Sequence, residues 1–207
     1  GPERNGYGTG RVGLSSTLKY LQYRDKVQNQ LATNRDYERW QDRGMGLHWR
    51  DILNNSDELK SKHVLAWTWV VSPAPELMAL VPEAKRRDFV CDLTEQVVED
   101  YYAERGFDLP EYSYILHDRP TDDKGHQQLH THVVLPGTVS SIEDRQPVYN
   151  NKERGHDTLF RDVATHHFEA MLDEIVGHEW RLKREELDQQ QAQDIDPNDL
   201  DAWFGRD

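Results

Sequence analysis

The sequence predicts an α+β fold: an antiparallel sheet with helices packed on it. Three observations carry this. Two stretches, "PEAKRRDFVCDLTEQVVEDYYAERG" and "DTLFRDVATHHFEAMLDEIVG", repeat their apolar residues at helical spacing. Three others, "HVLAWTWVVSP", "EYSYILH" and "LHTHVVL", have the β-branched and aromatic composition of strands. The last two are joined by the turn-rich "DRPTDDKGHQQ", so they read as a hairpin with a long loop. With a first helix added, the order is helix, strand, long helix, strand, strand, helix, which suits helices laid on an antiparallel sheet.

Taken in order, residues 1–14 form a Gly-rich, irregular lead, and Gly1–Pro2 read as a tag-cleavage remnant. A helix follows, capped by Ser15, Ser16 or Thr17, with Tyr20, Tyr23, Val27 and Leu31 as a stripe. Residues 34–60 read as short helices broken near "RGMG", with Trp40, Trp49, Ile52 and Leu53 as their apolar contacts. The strand "HVLAWTWVVSP" is nearly continuous in apolar residues, which predicts burial on both faces, and Ser72–Pro73 ends it. Pro82 suits the first turn of the long helix, Phe89, Leu93, Val97 and Tyr101 its core stripe, and Gly106 its stop. The last helix is expected to bury Phe160, Ala164, Met171 and Ile175. One domain is therefore expected over 15–180. Residues 181–207 read as an acidic helix or tail, with Trp203 and Phe204 as a docking point.

Composition narrows the class. The chain has 207 residues and a single cysteine, Cys91, so no intramolecular disulfide is available and a reducing cytoplasm is expected. No run approaches the roughly 18 apolar residues of a membrane span. The net charge of −13 argues against a nonspecific nucleic-acid binder. The charge is uneven: residues 1–60 balance at +2, residues 182–207 at −5 and the middle at −10. An anionic ligand should lean on the N-terminal part.

The chemistry concentrates in "GHQQLHTHVVLPGT". Residues two apart in a strand face the same way. His130, His132 and Val134 therefore share one face, and Thr131, Val133 and Leu135 the other. On the preceding strand Ser113, Ile115 and His117 share a face. Hairpin pairing then brings His117 across from His130 and His132. Three neutral imidazoles suit a divalent metal with open positions for water and substrate. His126, in the loop, is an alternative third ligand. His166 and His167 fall on a helix and read as ordinary surface or packing residues.

Upstream, "TLKYLQYRDK" carries Tyr20 and Tyr23 among Lys19, Arg24 and Lys26. A phenol attacks phosphorus poorly unless the electrophile is activated, which a metal on the phosphate would do. Spacing alone favours the plainer role, in which both tyrosines pack the helix on the sheet. Trp67 and Trp69 read as core residues and not as base-stacking platforms.

Three motifs in order resemble the relaxases, the HUH-type endonucleases of plasmid mobilisation and conjugation. "LKYLQYRDK" resembles their tyrosine motif, "AWTWVVSP" their strand ending in Ser-Pro, and "YILHDR…LHTHVVLPGT" their histidine motif. The resemblance spans roughly residues 10 to 176. It implies a five-stranded antiparallel sheet with metal ligands on its central strands, and a bacterial cytoplasmic setting. It implies single-strand DNA nicking by Tyr20, with Tyr23 as runner-up, giving a 5′-phosphotyrosine link and a 3′-OH that can rejoin the strand. The implied ligands are His117, His130 and His132, the implied metal is Mg²⁺ or Mn²⁺, and the implied partners are origin DNA with accessory relaxosome and coupling proteins. Arg11, Lys19, Arg24 and Lys26 are expected on the DNA backbone. Glu76 and Asp118 are candidates to orient a ligand imidazole. Two rivals remain. "QLHTHVVLPG" resembles the strand of histidine-triad nucleotide hydrolases and transferases, but Gln128 stands where their first histidine belongs. The same histidines would also serve a non-enzymatic, metal-stabilised DNA-binding adaptor.

Overall fold

The computed structural model describes residues 10–28, 40–119 and 125–194. The elements run α1 (Gly10–Gln28), β1 (Gln41–Arg43), α2 (Trp49–Glu58), β2 (Ala66–Val71), α3 (Pro75–Met78), α4 (Glu83–Arg105), β3 (Tyr112–Arg119), β4 (Gln128–Pro136), β5 (Thr138–Ser140), β6 (Pro147–Tyr149), α5 (His156–Val176) and α6 (Trp180–Asp194). The expected α+β class is what the chain adopts. Among the described residues the main sheet has four strands, in the order β1-β3-β4-β2, every neighbouring pair antiparallel. A separate pair, β5-β6, completes the strands, where a single five-stranded sheet was expected.

The sheet separates two cores. Trp67, Val71, Tyr112, Tyr114, Leu116, Leu129, Val133 and Leu135 face α4 and α5 in the larger one. Ala66, Ile115 and Val134 face Leu14, Leu18 and Leu21 of α1 and Ile52 and Leu53 of α2 in the smaller. The long helix is built as its sequence requires: Phe89, Leu93, Val97 and Tyr101 are all buried. Its chain stops at Gly106, whose φ of 78° is the left-handed conformation that glycine tolerates. At Gly137, between β4 and β5, a Cβ would stand 2.3 Å from the carbonyl oxygen of Val64, so only glycine fits that close approach.

Several expectations give way. α1 begins at Gly10, ahead of the expected Ser/Thr cap. Its buried stripe is Leu14, Leu18 and Leu21, and Tyr20 is 58% exposed. The leucines recur at i, i+4 and i+7, and this apolar stripe takes the core. Residues 41–43 form a strand where only short helices were expected, although α2 follows at Trp49. β2 is an edge strand, and Val70 is 46% exposed, so burial on both faces does not hold. α5 buries Phe160, Val163, Phe168 and Leu172, while Ile175 is exposed. The acidic segment is helical through Asp194, and Trp180 at its start is buried in the larger core. Leu31, Trp203 and Phe204 lie outside the described residues.

Candidate metal centre

Strand alternation builds the site. β3 and β4 are the two central strands of the sheet, and their register sets His117 directly opposite His130, with Ile115 opposite His132. On the other side of β4, Val70 lies opposite His132. The three imidazoles therefore emerge together on the α1 face of the sheet. Their ring centroids are 5.7 Å (His117–His130), 5.1 Å (His117–His132) and 5.0 Å (His130–His132) apart. One ligand nitrogen from each lies within 4.8 Å of the others. His117 and His130 are each 1% exposed, whereas His132 is half-buried beside the open Val70 end of the edge strand. His126 stands outside this group.

Backbone carbonyls fix the tautomers of the two buried rings. Nε2 of His117 lies 2.7 Å from the carbonyl oxygen of Leu21 in α1. A carbonyl only accepts, so Nε2 carries the proton and Nδ1 carries the lone pair. Nδ1 of His130 lies 3.1 Å from the carbonyl oxygen of Gln128, which leaves the lone pair on Nε2. Burial holds His117 neutral, pushing its pKa down to about 4; the Leu21 carbonyl works against this shift and the nearby Arg24 adds to it. The two lone pairs converge. Nη1 of Arg24 donates to both, at 3.1 Å to His117 and 3.3 Å to His130. Three imidazole nitrogens, two of them aimed at one point that already accommodates a cation, are a donor set that fits a divalent metal.

α1 brings the other predicted residues to this end of the sheet. The Leu21–His117 bond and the Arg24 contacts pin its C-terminal half over the triad. Side chains four apart share a helix face. Tyr20 therefore lies on the Arg24 side of α1, one turn before it, and its ring is exposed. Tyr23 is half-buried on an adjoining face. Packing on the sheet is thus not the role of Tyr20.

The supporting residues differ from those anticipated. The groups behind His117 and His130 are the backbone carbonyls of Leu21 and Gln128. Asp118 points to the opposite face of β3 by strand alternation and accepts from Gln127 at 2.8 Å; Glu76 lies in the short helix α3. Backbone carbonyls have no residue-type signature, so the sequence offered no signal for them. Of the cations expected on DNA, Arg11 donates to Asn54 at 2.7 Å and pairs with Asp57 at 3.6 Å, and so is tied to α2. Lys19 sits 4.3 Å above the Trp49 ring, with Arg50 at 5.2 Å from the same ring. The side chain of Lys26 lies outside the described residues. Trp67 is buried and Trp69 packs on Phe160 at 4.1 Å, so both are core.

No helix of the described residues is long and apolar enough to cross a membrane. No protein-family model matches the chain, and no curated protein matches it. Two solved structures do. One is TrwC complexed with a 27-mer DNA comprising the recognition hairpin and the cleavage site, at 11% identity and a TM-score of 0.44, covering 92% of this chain and 83% of that one. The other is the conjugative relaxase TrwC in complex with oriT DNA, a metal-free structure, at 13% identity and a TM-score of 0.39, covering 87% of this chain and 84% of that one. Backbone likeness of this degree carries no function from one chain to the other.

Proposed function

We propose that this chain is a relaxase-like enzyme that nicks and rejoins one strand of DNA through Tyr20, assisted by a divalent metal held by His117, His130 and His132. The observation that carries the proposal is the coincidence of two features on one face: converging imidazole lone pairs with backbone-fixed tautomers, and an exposed tyrosine on the helix that is bonded to them.

A bound Mg²⁺ or Mn²⁺ would supply charge neutralisation to the scissile phosphate. The chain's own residues supply the rest. The Tyr20 phenol gives up its proton and its oxygen forms a bond to phosphorus. The bond from phosphorus to the 3′-oxygen breaks, and that oxygen leaves as a 3′-OH on taking up a proton. The product is a 5′-phosphotyrosine, in which the phosphodiester energy is retained, so attack by a 3′-OH reverses the step without an external high-energy cofactor. The carbonyls of Leu21 and Gln128 hold the ring protons of His117 and His130 on the far nitrogens and so turn one lone pair of each towards the site, and burial keeps His117 neutral. Lys19 and Arg24, on α1, are the cations placed to contact the strand. An origin-type single strand, recognised with accessory proteins in a bacterial cytoplasm, is the substrate that suits this chemistry and the chain's overall acidity.

The test is a labelled single-stranded origin-like DNA incubated with the protein and Mn²⁺, then resolved on a denaturing protein gel. A covalent adduct should form, and Tyr20→Phe or chelator should remove it. An adduct that survives Tyr20→Phe and disappears in Tyr23→Phe would overturn the assignment of the nucleophile. No adduct on any strand tried would favour the non-enzymatic adaptor.

A further inference from the structure

We infer that Arg24 is the internal occupant of the histidine site: its guanidinium takes the point at which His117 and His130 direct their lone pairs, and a divalent cation enters only by displacing it. This rests on reading the triad as a metal site.

The geometry leaves little choice. Nη1 of Arg24 lies 3.1 Å from Nδ1 of His117 and 3.3 Å from Nε2 of His130. These are the two nitrogens whose lone pairs face inward, because the other nitrogen of each ring is bonded to a carbonyl. A metal bound to the same lone pairs would stand about 2.1 Å from each nitrogen. Nη1 would then lie far inside the metal's own contact distance, along the same directions. Steric overlap and like charge exclude both at once. The exchange keeps the sign of the charge at the site: a divalent cation replaces a monovalent one in front of lone pairs that already face a cation. Arg24 has somewhere to go. It is half-buried on a helix, and it shares a face with the exposed Tyr20. Metal entry therefore frees a guanidinium beside Tyr20, where a scissile phosphate would lie, and guanidinium suits phosphate through its paired donors. Metal and single strand should accordingly bind with positive coupling, each removing part of the cost of the other.

The experiment is a Mn²⁺ titration of the DNA-free protein, followed by calorimetry or by the paramagnetic resonance of free Mn²⁺. Arg24→Met keeps the apolar stem and removes the competing charge. It should bind Mn²⁺ about tenfold more tightly than the unmutated chain, since two charge-assisted hydrogen bonds no longer have to be broken. His130→Ala should lose binding in both backgrounds. Binding that depends on His130 but does not tighten in Arg24→Met overturns displacement and leaves the metal site standing. Binding that ignores His130→Ala sinks the metal site and the inference with it. The unmutated chain offers a second readout. In a Mg²⁺ titration, the nitrogen resonances of the Arg24 guanidinium should move in step with those of the His117 and His130 rings. Arginine signals that stay still while the imidazoles shift would rule displacement out.

Discussion

The two faces of the central sheet are filled on different principles. On the α4/α5 side, Trp67, Tyr114, Leu116, Val133 and Leu135 pack into a large aromatic core. Two polar pairs are buried there: Thr94 and Thr131 hydroxyls meet at 2.7 Å, and Asn150 donates to the Tyr102 hydroxyl at 2.8 Å. On the α1/α2 side, a smaller core around Leu14, Leu18, Ile115 and Val134 gives way to three imidazoles. Two of these direct a lone pair at a cation. Residues one apart on β4 thus serve opposite ends: Thr131 and Val133 hold the sheet, while His130 and His132 are held by it. A cluster of buried donors is costly to assemble unless its supports are rigid. The large core supplies that rigidity from behind.

Substitutions one residue apart in purpose should split stability from ligand binding. The largest stability loss is expected on the aromatic side. Leu93→Ala should cost about 2–5 kcal/mol in urea unfolding, because it opens a cavity in a packed core. Leu93 is buried against the sheet face opposite the histidines, so the folded variant should bind Mn²⁺ as the unmutated chain does. His130→Ala should do the reverse, abolishing Mn²⁺ binding at a smaller cost in unfolding free energy. Equal losses of both properties in both variants would mean that the faces are not separable.

The same contrast explains what could be read from residues alone. The helices α4 and α5 and the strands β2, β3 and β4 were legible because apolar periodicity is written in side chains, as Phe89, Leu93, Val97 and Tyr101 show. The convergence of His117, His130 and His132 was legible for the same reason, since period-two alternation and hairpin pairing suffice to bring them together. What escaped was set by backbone or by distant contacts. β1 is three exposed residues with no pattern, held by pairing with β3 and by the ion pair of Arg43 with Glu95 of α4. The carbonyls of Leu21 and Gln128 are available to any residue type. Arg24 read as a DNA-contacting cation, and nothing local shows that its guanidinium reaches residues 93 and 106 positions away. Tyr20 was misread as part of a packing stripe because aromatic residues at helical spacing resemble one; the leucines of "GLSSTLKYL" take that role.

A pH titration sharpens the comparison on the aromatic side. His156, at the start of α5, lies against Trp67 and Trp69, with ring centroids 5.7 and 6.0 Å away, and 3.3 Å from the Tyr101 hydroxyl. Burial, with Arg105 nearby, pushes its pKa below the ordinary 6.5. The unfolded chain therefore takes up a proton at this residue before the folded chain does. Stability from this source is complete above pH 6.5 and is lost as the pH falls from there towards the depressed folded value. Comparing urea midpoints at pH 7 and pH 5, His156→Phe should lose less stability on acidification than the unmutated chain. Parallel losses in the two proteins would show that the histidine does not contribute.

The smallest effects belong to α1, where two cations of similar appearance have different surroundings. Arg11 is engaged by Asn54 and Asp57 of α2, an exposed arrangement worth about 0–1 kcal/mol, and Arg11→Ala should cost no more. Lys19 lies over Trp49, a contact worth about 0.5–1 kcal/mol at an exposed site. Their contributions to stability are thus nearly equal, and single-strand binding is where they should part. Lys19 precedes Tyr20, and its partner is an aromatic face that a phosphate can outcompete. Arg11, nine residues before Tyr20 on the helix, is committed to the Asp57 carboxylate of α2. In a salt titration of single-strand affinity, Lys19→Ala should lower the dependence on log salt by about one ion, as loss of one phosphate contact does, and Arg11→Ala should leave it unchanged. If Arg11→Ala instead lowers the slope, its ion pair with Asp57 opens on DNA binding, and the contact surface runs the length of α1 and is not confined to the end that carries the histidines.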